Sequence, residues 1–396
     1  MARDDLIDAL RGLALFGILA VNIQSFVWGV GSPSLGVLFE GGGVADEVTL
    51  FLTALLLEYK FYPIFCFCFG YGFAIQTRRW VAHGIDAKAR FTRRMNFMLL
   101  MGVLHGVLIW FGDILARYAL TGYILRRHIR KGPRSILKAS KFWLSVVVAT
   151  GIGFAVAGGI SAPDASDSLA QSETAQAAAE QIFAAYTESG YIDATIQRAE
   201  DFFFVTATFV MVLPQVMLFF LLGALIAQLR WLRYPERHRA RWRRVFWFGL
   251  LAGLPINIAY ALSQLSAAAD PWVPTSTWAM LLSASAPVLA LAYIAAAALV
   301  NTTSLGEAIV RMLAPAGRIA LTLYITQSVL MMILLNGFGL GLGVSFGQAE
   351  LFATAVAIYA FQLFAAHLMQ HFAISAPLEV VWRRYTNASS PQEKNT

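Results

Sequence analysis

Residues 202–229 read FFFVTATFVMVLPQVMLFFLLGALIAQL, an uninterrupted apolar run with no ionisable side chain. A bilayer-crossing helix needs roughly 20 such residues, and at about 1.5 Å per residue this run is more than long enough. Nine further stretches read the same way: 10–29, 59–77, 95–111, 113–126, 142–160, 245–265, 277–300, 318–336 and 350–369. The stretch 113–126 is the shortest, and 46–58 reads as an amphipathic or re-entrant lead-in with the bend at Pro63. Membrane strands would give short alternating segments instead of long continuous runs.

The composition agrees. Of 396 residues, 58% are hydrophobic and only 13% charged, with a mean hydropathy of +0.63. A soluble domain carries about 25% charged residues. Two cysteines exclude a disulfide scaffold, and Cys66 and Cys68, two apart on one helix, point to different faces and read as small core residues. The net charge of +7 comes from 30 basic residues in short clusters between apolar runs, which argues against a nucleic-acid partner. The fold expected is an all-α polytopic integral membrane protein of about ten transmembrane helices, with the lipid bilayer as its main partner.

Basic residues set the orientation, because cytoplasmic loops collect Lys and Arg. Ten spans with the N-terminus inside place all of them in cytoplasmic stretches except Lys60, Arg117 and Arg198. Both termini are therefore expected in the cytoplasm. The acidic segment 161–201, whose one basic residue is Arg198, falls outside and is expected to form a surface helix around 169–188. It divides the chain into an N-terminal membrane half, 1–160, and a C-terminal membrane half with a cytoplasmic tail, 202–396. The first span follows Asp4, Asp5 and Asp8 and lacks a small-residue cleavage signature, so it is expected to remain as an anchor.

Ionisable groups inside spans are costly and point to function. His105, in MGVLHGVLI (101–109), lies about 14 Å along the third span, near its middle, between Gly102 and Gly106. It suits an acid or base, or a hydrogen bond that glues two helices. Asp113 and Arg117 are four apart and able to pair on one helix, shaping an outer hairpin. Asp113 stands about 12 Å from His105 on a continuous helix, too far for a dyad unless the chain folds back at Gly112. Asp8 and Arg11 share a face at the inner edge of the first span, and Asn22 follows in mid-span with an amide that needs a partner. In the ninth span Arg318, Thr322 and Thr326 form a polar stripe, with Gln327 beside it. Such a stripe either holds an anion at its Arg end or bonds neighbouring helices. Glu379 and Arg383 read as a helical pair on the tail. No metal set is apparent, since His367 and His371 lack a third ligand.

Together DALRGLA (8–14) with Asn22, FCFCFGYG (65–72), LHG (104–106) with GDIL (112–115) and YAL (118–120), GRIALT (317–322) through Gln327 and Ser328, and PLE (377–379) with Trp382 and Arg383 resemble the YeiB-like family of bacterial inner-membrane proteins and its C-terminal domain of unknown function. That family is similar to the transmembrane acyltransferase superfamily, which includes the lysosomal heparan glucosaminide acetyltransferases and the bacterial sugar O-acyltransferases. The resemblance implies a bacterial inner-membrane location and transfer of an acyl group from cytoplasmic acyl-CoA to a small-molecule acceptor outside. His105 and Asp113 would be catalytic, Asn22, Arg117, Thr322 and Gln327 would bind substrate, and Arg11 and Arg318 would face the donor. The O-acyltransferases carry a His where this chain has Asn22, so either His105 supplies the chemistry or the pocket binds without reacting. A transporter or flippase of a small anionic or lipidic solute, or a non-catalytic scaffold, would use the same polar residues. A homo-oligomer is compatible with each reading.

Overall fold

A computed structural model describes residues 5–31, 43–160, 177–269 and 286–387. Within them every long element is a helix: α1 (Asp5–Asn22), the single turn α2 (Ser25–Trp28), α3 (Val44–Leu56), α4 (Phe61–Ala82), α5 (Ala87–Leu108), α6 (Leu115–Leu125), α7 (Pro133–Ile160), α8 (177–187), α9 (Tyr191–Leu229), α10 (Arg239–Ala269), α11 (Ala286–Val300), α12 (Ser304–Arg318), α13 (Ala320–Leu335), α14 (Gln348–His371) and α15 (Pro377–Asn387). The expected surface helix in the acidic segment begins before 177, and that part lies outside the described residues. The described part, α8, is helical.

Among the described residues, five stretches are long and apolar enough to cross a membrane: Val44–Ala82, Pro133–Gly153, Tyr191–Leu229, Glu236–Leu265 and Gln348–His371. A sixth arises if α11 and α12, bent by 114° at the break between them, count as one. The remaining expected spans fall short for physical reasons. Helix α1 carries Asp5, Asp8 and Arg11, and α5 begins with Lys88, Arg90, Arg93 and Arg94. With 11 residues α6 reaches only about 16 Å, half a hydrocarbon core. Helix α13 starts at Ala320, so the stretch 318–336 is not one helix, and Arg318 instead ends the amphipathic α12. The bend before the second span lies at 57–60, where Tyr59 takes a φ of 59°. Pro63 sits in the first turn of α4, where a missing N–H costs nothing.

Two packings set the frame. Helix α4 runs along α9 with Gly70 against the backbone of Phe220 and Gly223 against the backbone of Phe67. Helix α1 crosses α12 with Gly12 against Leu313 and Gly317 against Asp8. Elements from before and after the acidic segment thus contribute to one core. Outside it, α7, α9, α10 and α14 present large apolar side chains, among them Phe142, Ile152, Phe203, Val210, Phe248, Leu251, Phe361 and Phe364. A belt of this kind is stable only against lipid or another apolar surface.

Gly70→Val drives a branched side chain into the Phe220 backbone and is expected to cost about 1–3 kcal/mol through overpacking. Gly151→Val, where an added Cβ meets nothing within 4 Å, should be close to neutral. Thermal unfolding of the two purified variants checks the order. Equal melting would place the α4–α9 contact elsewhere.

Candidate functional site

His105 lies in the last turn of α5, which ends at Leu108, and not in the middle of a longer span. Residues 109–114 then reverse the chain, and α6 starts at Leu115. The reversal brings Asp113 back onto His105: Nδ1 to Oδ1 is 2.9 Å, with His105 1% and Asp113 0% exposed. The other Asp113 oxygen accepts the Ala116 N–H at 2.7 Å and so caps α6. Gly102 permits this approach, because a side chain there would meet Asp113 and the Ala116 backbone. Gly106 likewise receives the Phe202 ring. A carboxylate can only accept, so Nδ1 donates to Asp113, and in a neutral imidazole the lone pair then falls on Nε2. That Nε2 is buried with no hydrogen-bond partner among the described residues.

The expected Asp113–Arg117 pair does not form. Asp113 is bonded to His105 and Ala116, while Arg117 Nε and Nη2 are buried without a hydrogen-bond partner. Asn22 is the last residue of α1, not a mid-span residue. Its carbonyl accepts from Ser25 Oγ at 2.6 Å, and Ser25 accepts the Trp110 indole N–H at 3.0 Å. Trp110 stands with its ring centroid 6.3 Å from His105.

Three residues that sequence reasoning left out complete the surroundings. Tyr324 lies against the His105 ring at 4.9 Å, and its hydroxyl accepts the Ile114 N–H at 3.1 Å. Arg198 donates to the Leu108 carbonyl at 2.7 Å, and the Tyr191 hydroxyl donates to the same oxygen at 2.9 Å. A cation at the carbonyl end of a helix is favourable, and here it fixes the turn that carries His105. The available signal was that Arg198 breaks the charge rule for outer segments. Beside it Tyr186 donates to Asp201 at 2.8 Å. Burial first, and then the Asp201 charge, push the Tyr186 hydroxyl well above the usual phenol range.

On the far side of Tyr324 opens a cleft of about 550 Å³. Its lining runs from the buried Ile114, Leu115, Tyr118 and Tyr324, past Phe65, Phe69, Met98 and the buried Arg94, to Arg11, Arg90 and Arg318 and to the exposed Arg79 and Arg383 at its mouth. Two expected site residues, Arg11 and Arg318, therefore share one wall, each tied to an acid. Arg11 donates to Asp8 at 2.9 Å and to the Cys68 carbonyl at 3.1 Å, and Arg318 meets Asp5 at 2.7 Å and Gln370 at 3.0 Å. The expected Glu379–Arg383 pair is replaced by a cap: Glu379 accepts the N–H groups of Leu321 and Thr322 at 3.0 and 3.1 Å, and the Thr322 hydroxyl. The first turn of α13 needs such an acceptor, and a carboxylate is favoured there. Thr322 is thereby committed to the frame. Gln327 is buried one turn beyond Tyr324 with its Oε1 unpartnered. Among the described residues no three His, Cys, Asp or Glu side chains converge as a metal site.

Asp113→Ala leaves both the His105 Nδ1–H and the Ala116 N–H without an acceptor and is expected to cost about 2–4 kcal/mol. Asp113→Asn keeps an acceptor and should cost less. Unfolding of purified protein measures both, and wild-type stability in Asp113→Ala would remove this bond from the frame.

Residues 226–389 match the family described as "Protein of unknown function (DUF418)". The whole chain is 26% identical to the uncharacterized protein YxaH of Bacillus subtilis, spanning 97% of it. It is 27% identical to the uncharacterized protein YeiB of Escherichia coli, spanning all of it. An uncharacterized 39.9 kDa protein of Bacillus acidopullulyticus is 34% identical over 119 residues, 30% of this chain and 32% of that protein. No solved structure matches the chain. With relatives aligned from end to end and the DUF418 match in its C-terminal part, the chain is similar to the YeiB-like proteins over its whole length.

Proposed function

We propose that the protein is a ten-span inner-membrane acyltransferase that moves an acyl group from cytoplasmic acyl-CoA to an acceptor on the other side. The observation that carries this reading is the buried His105–Asp113 pair behind the closed end of an arginine-mouthed cleft. The clustering of basic residues in the cytoplasmic loops of this reading supports a cleft that opens to the cytoplasm. Both described chain ends lie at that mouth, Asp5 on Arg318 and Asn387 on Arg90. Helices α1, α5, α6 and α13, too polar or too short to cross alone, complete the ten spans in this reading by packing against the apolar helices.

The chemistry follows from the pair. Asp113 holds the Nδ1 proton, which leaves Nε2 as the base. Nε2 takes the proton of the acceptor hydroxyl or amine as that atom bonds to the thioester carbonyl carbon. The C–S bond then breaks, and the imidazolium returns the proton to the departing CoA thiolate. Tyr324 separates the cleft from His105 and would have to turn aside for the thioester to reach it. Arg117 and Gln327 offer unpartnered polar atoms to an acceptor, with Asn22 at the same end of the bundle. Arg11 and Arg318 face the donor, and Thr322 supports the wall through Glu379.

Purified protein in proteoliposomes with labelled acetyl-CoA inside tests the reading. Wild type should transfer label to an outer acceptor pool. His105→Ala should slow transfer by about 10²–10⁴-fold, the usual contribution of an acid–base group, while acetyl-CoA still binds. Full turnover in His105→Ala, or movement of an anionic solute without any CoA requirement, would overturn acyl transfer. The second result would put a transporter in its place.

A further inference from the structure

The cleft holds one buried arginine that has no ion pair among the described residues. Arg11 and Arg318 have Asp8 and Asp5, and Arg90 lies on Trp80 and bonds to Asn387. Arg94 differs. It is only 8% exposed, and its Nη1 donates to the neutral Gln76 amide. The rings of Phe69 and Trp382 lie 5.2 and 4.5 Å from the guanidinium carbon. Its Nε is buried with no hydrogen-bond partner, and none of the described ion pairs involves it. Glu379, the acid on the same wall, has both oxygens occupied by Leu321 and Thr322.

We propose that Arg94 anchors a phosphate-binding site in this cleft, taking a phosphate ester or diphosphate of the ligand through its free Nε edge. Ring contacts ease the burial of a guanidinium but bring no counter-charge. An uncompensated buried charge is strongly unfavourable, and an entering oxyanion removes that cost. The planar edge of an arginine fits two oxygens of one phosphate side by side, which an ammonium does not. Arg79 and Arg383, both exposed and without an ion pair at the mouth, favour a ligand with more than one anionic group over a single carboxylate. The site deepens the reading of the cleft as a donor pocket but does not need acyl transfer to be true. Two sources supply such a phosphate, a soluble phosphorylated donor or the headgroup of an anionic lipid.

The test uses the full chain in nanodiscs of phosphatidylcholine, titrated with pyrophosphate and followed by melting temperature and by tryptophan fluorescence, since Trp382 touches Arg94. Wild type should show a saturable rise in Tm. Arg94→Gln should weaken pyrophosphate binding by about 10–100-fold, equivalent to one or two steps of 1.4 kcal/mol, and Arg94→Lys should fall between. Unliganded Arg94→Gln should melt no lower than wild type, because it sheds an unpaired charge, whereas a structural arginine would lower Tm on removal. Nanodiscs with phosphatidylglycerol form the second arm. An Arg94-dependent rise there, without one from pyrophosphate, assigns the phosphate to a lipid headgroup. Unchanged affinity in both Arg94 variants, or no shift of wild type by either probe, overturns the site. Arg94-dependent pyrophosphate binding without any acetyl-CoA turnover would sink acyl transfer and leave the site standing. Turnover untouched by Arg94→Gln would do the reverse.

Discussion

An ionisable pair buried within a membrane bundle is stable only if every remaining polar atom around it is satisfied or matched. Much of this structure meets that condition for His105 and Asp113. The Ala116 N–H takes the second Asp113 oxygen, Tyr324 and Trp110 surround the imidazole, and Gly102 clears the space that the pair needs. Further out, Arg198 and Tyr191 hold the end of α5, so the outer segment braces the helix that bears His105. Among the described residues, the pair itself leaves His105 Nε2 without a partner, the atom that any reaction of the imidazole would use.

The helices divide into two kinds on the same principle. Those that present Phe142, Phe248 or Phe361 outward face an apolar surrounding and must read as apolar throughout. Helices α1, α5, α6 and α13 bury Asp8, Arg94, His105 and Gln327 on faces packed against other helices, and there protein tolerates polar groups that lipid would not. The arginine-lined cleft and the His105–Asp113 pair both lie among helices of the second kind.

That division explains what a hydropathy reading captures. It finds α4, α7, α9, α10 and α14 with ease, since lipid selects continuous apolar sequence. It overstates α6, because LARYALTGYIL is apolar for the sake of packing and too short to span a bilayer by itself. It joins 318–336 into one helix, although Ile319 breaks the chain between α12 and α13. The positions of Glu379 and Arg94 were invisible for another reason. Their partners lie far away in sequence, Glu379 on Thr322 and Arg94 beside Trp382, and spacing rules reach only a helical turn or two.

The sequence by itself determined the helical class, the apolar belt, the resemblance to the YeiB-like family and the short list of residues too polar to sit idle in a membrane. These are properties of composition and local period, and the chain carries them in any compact state. Tertiary structure alone decided which of those residues meet. His105 and Asp113, about 12 Å apart on a continuous helix, become neighbours only because six residues between α5 and α6 turn the chain around. Arg117 loses the partner that spacing had assigned it, and Arg94 is left without an acid only because α15 folds Trp382 over it while its carboxylate caps α13. Proximity of this kind is set by turns and by long-range packing, and no local pattern encodes it.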